Sequence, residues 1–576
     1  MTLNSDIRTG NSPIALSKEE PTRMGVFICN CEDKVSDILD VEKLVTSSAE
    51  LPGVVYAGNT RYWCSAAGRD CLEATIRSEG LERVIIAGCS RRTHQRLFQE
   101  TVANAGLSPD LLGLVNIREG CAWPHRREHK AATLRARDQI AMEVAHTAAL
   151  TLRPLIRAEI TPAALVIGGG GAGMTAALEL AEAGFPVTLI ERSTKLGGTA
   201  LIAAPELAAD LIAAVQTHPR ITLYVDSHIT HLEGSVGAYH ITIVQRAKLE
   251  VCQTFGVIVV ATGAPSEETR KLASLLRLPQ DAQGLLPESR VRLRPGSYAE
   301  RGIYVCGSAH YPCDPVEAQF QAYSAASRAL HHLQRESVTA HGPAAQVAPE
   351  KCNGCGDCLN VCPFAAVTMV ERPPYAQHQP IGPAKALGLS SIDPLLCTGC
   401  GNCVSVCPVG AVTVAGWTDA QLEAQMQVAL PGTVGRHSVP NPQPRILIFA
   451  CEWSGYAAAE LAGAQKLSYP ANVRMIRLDC SGRLQPGLIL KAFEIGAAGV
   501  LVLGCAPKLC HYERGNERAA VAYDQVEALV DLLGLPSARL QQAWIPPDDG
   551  RAFAQLVTSF VEGVEKAVEQ EVRNTN

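Results

Sequence analysis

Two cysteine runs constrain this chain more than any other feature: "CNGCGDCLNVCP" at 352–363 and "CTGCGNCVSVCP" at 397–408. Each spaces its cysteines as C-x2-C-x2-C-x3-C and ends on proline, and the runs begin 45 residues apart. That is the spacing of thiolate ligands to iron–sulfur clusters, so the chain is expected to carry electrons. Zinc would also accept soft thiolates, but a doubled, proline-terminated run is characteristic of cluster ligation.

In two-cluster bacterial-type ferredoxins the fourth cysteine of each run ligates the other cluster. Cys352, Cys355, Cys358 and Cys407 are therefore expected to hold one [4Fe-4S] cluster, and Cys397, Cys400, Cys403 and Cys362 the second. The Pro-bearing stretch "PPYAQHQPIGPAKALGLSS" between the runs reads as a surface loop.

The 576 residues suffice for three to five domains. With 19% charged residues and a net charge of −6, nothing points to nucleic acid or to an anionic membrane surface. No apolar run reaches the roughly 18 residues that a membrane span needs. Twenty-one cysteines in so long a chain, clustered at ligand spacings, suggest a reducing cytoplasm rather than a disulfide scaffold. Residues 1–23 are polar and dotted with Ser and Pro, and read as a tail or as residues preceding a true start at Met24.

Strand-like runs ending in cysteine occupy both ends of the chain. "MGVFICNC" closes on Cys29 and Cys31, "RVIIAGC" on Cys89 and "LVNIREGC" on Cys121, with Cys64 between them. Near the C-terminus "RILIFAC" closes on Cys451, "VRMIRLDC" on Cys480 and "GVLVLGC" on Cys505, with Cys510 following. Strands alternating with helical segments predict parallel α/β sheets, whose ligands gather at the carboxyl ends of the strands. Cys64 to Cys89 and Cys480 to Cys505 are both steps of 25 residues, which suggests two related domains.

Between them, "ALVIGGGGAGMTAALELAEAGFPVTLIERS" at 164–193 reads as strand, turn, helix and strand. Gly168, Gly170 and Gly173 fit G-x-G-x-x-G, and Glu191 lies 18 residues past Gly173, where a carboxylate can bind ribose hydroxyls. Gly171, Arg192 and Gly198 are expected to flank the same dinucleotide, and its pyrophosphate would sit on the helix N-terminus. "GVIVVATGA" at 256–264 and "GIYVCGSA" at 302–309 resemble flavoproteins such as thioredoxin reductase, and add Thr262, Gly263 and Gly307. About forty residues separate these strands, with no second glycine fingerprint, so FAD without a nicotinamide module is expected. Cys306, Cys313, Cys252 and Cys71 lack a dithiol spacing, and His94, His125, His129 and His511 read as polar or structural residues.

Taken together, residues 24–155 ("GVFICNC…RYWCS…AGCSRRTH…REGCAWPH"), 161–335 and 347–418 resemble the N-terminal, FAD and ferredoxin domains of the A-type subunit of heterodisulfide reductase. Residues 444–570 ("FACEWSGY…LDCSGR…GCAPKLCHYERGN") are similar to the delta subunit of methyl-viologen-reducing hydrogenase. The resemblance implies a cytoplasmic multidomain α/β oxidoreductase: a Rossmann-like FAD domain and a two-cluster ferredoxin domain, flanked by two α/β iron–sulfur domains. It implies a [2Fe-2S] cluster on Cys451, Cys480, Cys505 and Cys510. A further [4Fe-4S] cluster is expected at the N-terminal strand ends, on four of Cys29, Cys31, Cys64, Cys89 and Cys121. Of the first two, Cys31 is preferred.

Implied partners are a hydrogenase or formate dehydrogenase as donor, ferredoxin, and B- and C-like subunits that reduce a disulfide. Flavin-based bifurcation and a homodimer within a larger complex would follow. Two departures stand out: the usual nicotinamide-like domain with its ferredoxin insertion is absent, and Ser454 replaces a delta-subunit cysteine. The first weakens bifurcation and leaves open a plain relay, as in quinone-interacting or benzoyl-CoA reductase complexes. A non-catalytic scaffold is the reading that the intact motifs oppose.

Overall fold

The computed structural model describes residues 22–152, 156–245, 249–276, 278, 280, 283–286, 302–340, 344–371, 388–430 and 444–575. The tail up to residue 21, most of the loop between the two cysteine runs and the linker at 431–443 lie outside the described residues.

Strands β1 (Met24–Cys29), β2 (Val54–Thr60), β3 (Arg83–Gly88) and β4 (Leu112–Asn116) form a parallel sheet in the order β2-β1-β3-β4. All six residues of β1 are buried because helices cover both faces. Those helices are α1 (Val41–Ala49), α2 (Ala66–Ser78), α3 (Arg91–Asn104) and α4 (His129–Ala148). The first three are capped from the sequence: Asp40, Ser65 and Ser90 each accept a first-turn backbone N–H.

The flavin-type unit is a five-stranded parallel sheet. Its strands are β5 (Ala164–Ile167), β6 (Val187–Ile190), β7 (Ile221–Tyr224), β8 (Val257–Val260) and β9 (Ile303–Val305), in the order β9-β8-β5-β6-β7. An antiparallel meander over Ser227–Phe255 lies beside it. Helix α5 (Gly171–Glu182) follows β5 directly, as the glycine fingerprint predicts. Between β8 and β9 the described residues hold one helix, Glu267–Leu275.

The two cysteine runs each contribute a short helix, Asp357–Val361 and Asn402–Ser405, beside two small antiparallel strand pairs. The C-terminal domain repeats the first. Its strands β10 (Ile446–Cys451), β11 (Val473–Leu478), β12 (Gly499–Gly504) and β13 (Leu540–Trp544) are parallel in the order β11-β10-β12-β13. The register repeats too: Met24 pairs with Arg83, and Ile446 with Gly499, each the first residue of its strand.

The N-terminal, cysteine-run and C-terminal units pack on one another. The apolar core of the cysteine-run segment is continuous with that of the C-terminal domain, running from Val412 and Leu422 to Phe449 and Val502, and Met142 of α4 joins it. Helix α4 is buried on several faces because the C-terminal domain closes over it. Its Asp138 pairs with Arg474 at 2.7 Å and Arg445 at 2.8 Å.

Candidate functional site

At the start of α5 the backbone turns sharply. Gly168 has φ +111°, and a Cβ on Gly173 would collide with the Gly168 carbonyl, so only glycine lets helix and turn approach this closely. Nothing lies within 4 Å of the place a Gly170 Cβ would take, which leaves room for a pyrophosphate. Glu191 accepts the Gly169 N–H at 2.6 Å and the Ser193 N–H at 2.7 Å, so its carboxylate is fixed at the end of β6. Gly198 lies against Gly170, and Gly307 against Ala172, while Arg192 pairs with Glu268 on the surface at 3.2 Å. The Thr262 hydroxyl, beside Gly263, is buried without a partner, a donor available to a bound group. The residues fit FAD.

The crossed ferredoxin sets come together. Cys352, Cys355, Cys358 and Cys407 line one small cavity. Cys403 and Cys400 feel the charges of Cys397 and Cys362. Backbone N–H groups already aim at three of these sulfurs: Ala345 at Cys397 (3.2 Å), Ala366 at Cys362 (3.4 Å) and Ala411 at Cys407 (3.2 Å). Burial pushes the Cys400 thiol up to about 12 and Cys403 well above its ordinary value. Such thiols become ligands only when a cation takes their protons' place, and a donor set of this softness suits iron.

At the C-terminal sheet, Cys451, Cys480, Cys505 and Cys510 share one buried cluster with Tyr512. Cys451 and Cys505 sulfurs are 3.8 Å apart, and Cys480 hydrogen-bonds to Cys510. The hydrogen bond from Cys505 holds the Cys451 thiol below its ordinary value, against burial. Cys400 of the second run belongs to the same cluster, a contact no sequence spacing announces. Trp453 and His511 stack beside it, ring centres 3.7 Å apart. Ser454 is buried, its hydroxyl without a partner. Among the described residues no group of three His, Cys, Asp or Glu is gathered to hold a single metal ion.

At the N-terminal strand ends the structure brings together four of the five candidate cysteines. A cavity of about 180 Å³ at the strand ends is lined by Cys29, Cys31, Cys64 and Cys89, with Arg118 and His94. Cys121 does not reach it. That thiol is fully buried beneath α4, points to the Asn116 carbonyl at 3.9 Å, and lines a separate chamber with Arg135 and Tyr469. The reason is local: after β4 the chain turns at once into a five-residue π-helical turn, Arg118–Ala122, which carries Cys121 away from the strand end. Cys29 joins the cavity together with Cys31, because Cys31 takes a left-handed conformation (φ 50°) that breaks strand alternation.

Of the histidines set aside from sequence, His94 thus lines a thiol cavity. His125 stays buried against Tyr469, and burial lowers its basicity to about 2. Cys306 is buried before Gly307, and Cys71 and Cys252 are exposed.

Three family descriptions match: "Pyridine nucleotide-disulphide oxidoreductase" over 162–292, "4Fe-4S dicluster domain" over 343–411, and "Methyl-viologen-reducing hydrogenase, delta subunit" over 446–567. The A-type subunit of the ferredoxin:CoB-CoM heterodisulfide reductase of Methanosarcina mazei is 24% identical, covering 94% of this chain and 97% of its own. This chain is a homologue of the A-type subunits of heterodisulfide reductase. An A-type iron–sulfur subunit of the CoB–CoM heterodisulfide reductase of Methanopyrus kandleri is 33% identical over 42% of this chain and 38% of its own. The A-type subunit of the H(2):CoB-CoM heterodisulfide,ferredoxin reductase of Methanothermobacter marburgensis is 32% identical over similar shares, 42% and 38%. The chain is an oxidoreductase with an FAD-type domain and a 4Fe-4S dicluster domain. No described helix is long and apolar enough to cross a membrane.

Proposed function

We propose that this chain is the electron-distributing subunit of a cytoplasmic heterodisulfide reductase-like complex. Its donor would be a hydrogenase or formate dehydrogenase, and its acceptors ferredoxin and disulfide-reducing B- and C-like subunits. One observation carries the reading: Cys400 of the second run lies in one buried cluster with the four C-terminal cysteines. Cys451, Cys480, Cys505 and Cys510 would hold a [2Fe-2S] centre, the two crossed sets one [4Fe-4S] cluster each, and the glycine cradle FAD. Once bound, these groups would supply one- and two-electron transfer.

The chain's own part is placement. It buries neighbouring sulfur sites in two apolar clusters, with Cys400 in that of the C-terminal cysteines, and aims N–H groups at the sulfurs. At the N-terminal cavity Cys29, Cys31, Cys64 and Cys89 would hold a further [4Fe-4S] cluster. The short β8–β9 connection favours plain relay over flavin-based bifurcation. Anaerobic reduction of the full chain by a hydrogenase or formate dehydrogenase, followed at the flavin absorbance, tests the proposal. Wild type should bleach and C480A should not; unimpaired bleaching in C480A would mean that electrons come in elsewhere.

A further inference from the structure

Asn402, between Cys400 and Cys403, is 1% exposed, and both ends of its side-chain amide are buried without a hydrogen bond. A polar group so placed costs stability unless something meets it. The first cysteine run offers an internal comparison. Asp357 holds the matching position, and both residues open a short helix after a left-handed glycine, Gly356 (φ 81°) and Gly401 (φ 80°). Asp357 is exposed to solvent. The same backbone therefore aims this side chain off its own ferredoxin half in both runs. In the second, the C-terminal domain stands where water stands in the first.

What Asn402 meets there is the Cys480 loop. A Cβ on Gly482 would collide with Asn402 Oδ1, and the Gly482 N–H donates to Cys480 Sγ at 3.4 Å. A Cβ on Gly515 would collide with Cys480 Sγ. Gly482, bare of a side chain, thus lies against the amide on one side and hydrogen-bonds that sulfur on the other. Since neither end of the amide is engaged, its orientation is free to present the N–H₂.

We propose that Asn402 donates a hydrogen bond to the sulfur ligands of the C-terminal centre on the Cys480 side, setting that centre's reduction potential from the loop of the neighbouring cluster. This rests on the two-iron reading of the C-terminal site. A neutral donor stabilises the more negative, reduced state and raises the potential. A carboxylate, as in the first run, would do the reverse and would be buried beside thiolates.

The test is an EPR-monitored redox titration of the full-length, anaerobically purified chain, with iron analysis. In N402L, of the same branching but without a donor, the C-terminal midpoint falls, and in N402D it falls further. D357N leaves it in place. N402A carries the same expectation as N402L without overpacking. An unmoved C-terminal midpoint in N402L or N402A with iron retained overturns the proposal, as does an equal shift in D357N. A wild-type chain without any two-iron signal overturns the underlying reading instead, so the two failures are told apart.

Discussion

Arg118 sets the chemistry of the N-terminal cavity. Its guanidinium stands 3.6 Å from Cys31 Sγ and is held by Glu119 at 2.6 Å. The hydrogen bond from Cys29, with Arg118 adding its charge, holds the Cys31 thiol below its ordinary value, while burial pushes Cys89 up to about 11. Of the four thiols lining the cavity, Cys31 thus gives up its proton most readily, and it makes the natural first ligand. C89S and C31S should each cost roughly four irons per chain, the content of one cubane cluster. C121S should cost none, since that thiol faces another chamber. Iron analysis of the three variants decides it, and iron loss in C121S would restore Cys121 to the ligand set. At the other end of the chain S454A should keep the C-terminal irons, because a hydroxyl is a harder and poorer ligand than the four thiols beside it.

At the scale of elements, α4 does what periodicity could not foretell. Its sequence carries arginines and an aspartate at positions that a free surface helix would solvate, yet Arg135 and Asp138 are buried. Their partners lie in the C-terminal domain: Asp138 meets Arg474 across 336 residues, and Arg92 of α3 donates to the Glu452 carbonyl across 360. Pairing at such separations leaves no local trace in a sequence. Burial alone would raise the Asp138 carboxyl, but Arg474 and Arg445 outweigh it and hold it below the ordinary range. Removing one partner of a buried pair strands the other, so D138N should lose about 3 kcal/mol of stability. With a depressed folded value, that contribution is complete above the unfolded carboxylate value of about 3.9 and disappears as pH falls through the folded one. Thermal unfolding of both proteins should therefore differ at neutral pH and converge in acid. A gap that persists in strong acid would assign the effect to packing instead.

Over the whole molecule, legibility follows how local each signal is. The ligand runs, the glycine fingerprint and the repeated step of 25 residues were readable because each unit's chemistry sits within a few turns of chain; the step matches two sheets of the same strand order. What escaped was docking, as at Cys400, and backbone geometry, as at Cys31 and in the turn that diverts Cys121. The same contrast governs the flavin unit. One glycine turn, with Glu191 fixed by two backbone N–H groups, builds one dinucleotide cradle. Between Val260 and Ile303 the described residues add a nine-residue helix, Glu267–Leu275, and no βαβ unit for a second dinucleotide. The purified full-length chain should therefore release about one FAD per chain on denaturation, as a single fingerprint binds a single dinucleotide. It should oxidise neither NADH nor NADPH at a rate that reduces its flavin. Stopped-flow absorbance at the flavin band, with dithionite as the positive control, measures this directly. Rapid bleaching by NADH would place a nicotinamide site on this chain and make it a reductase in its own right.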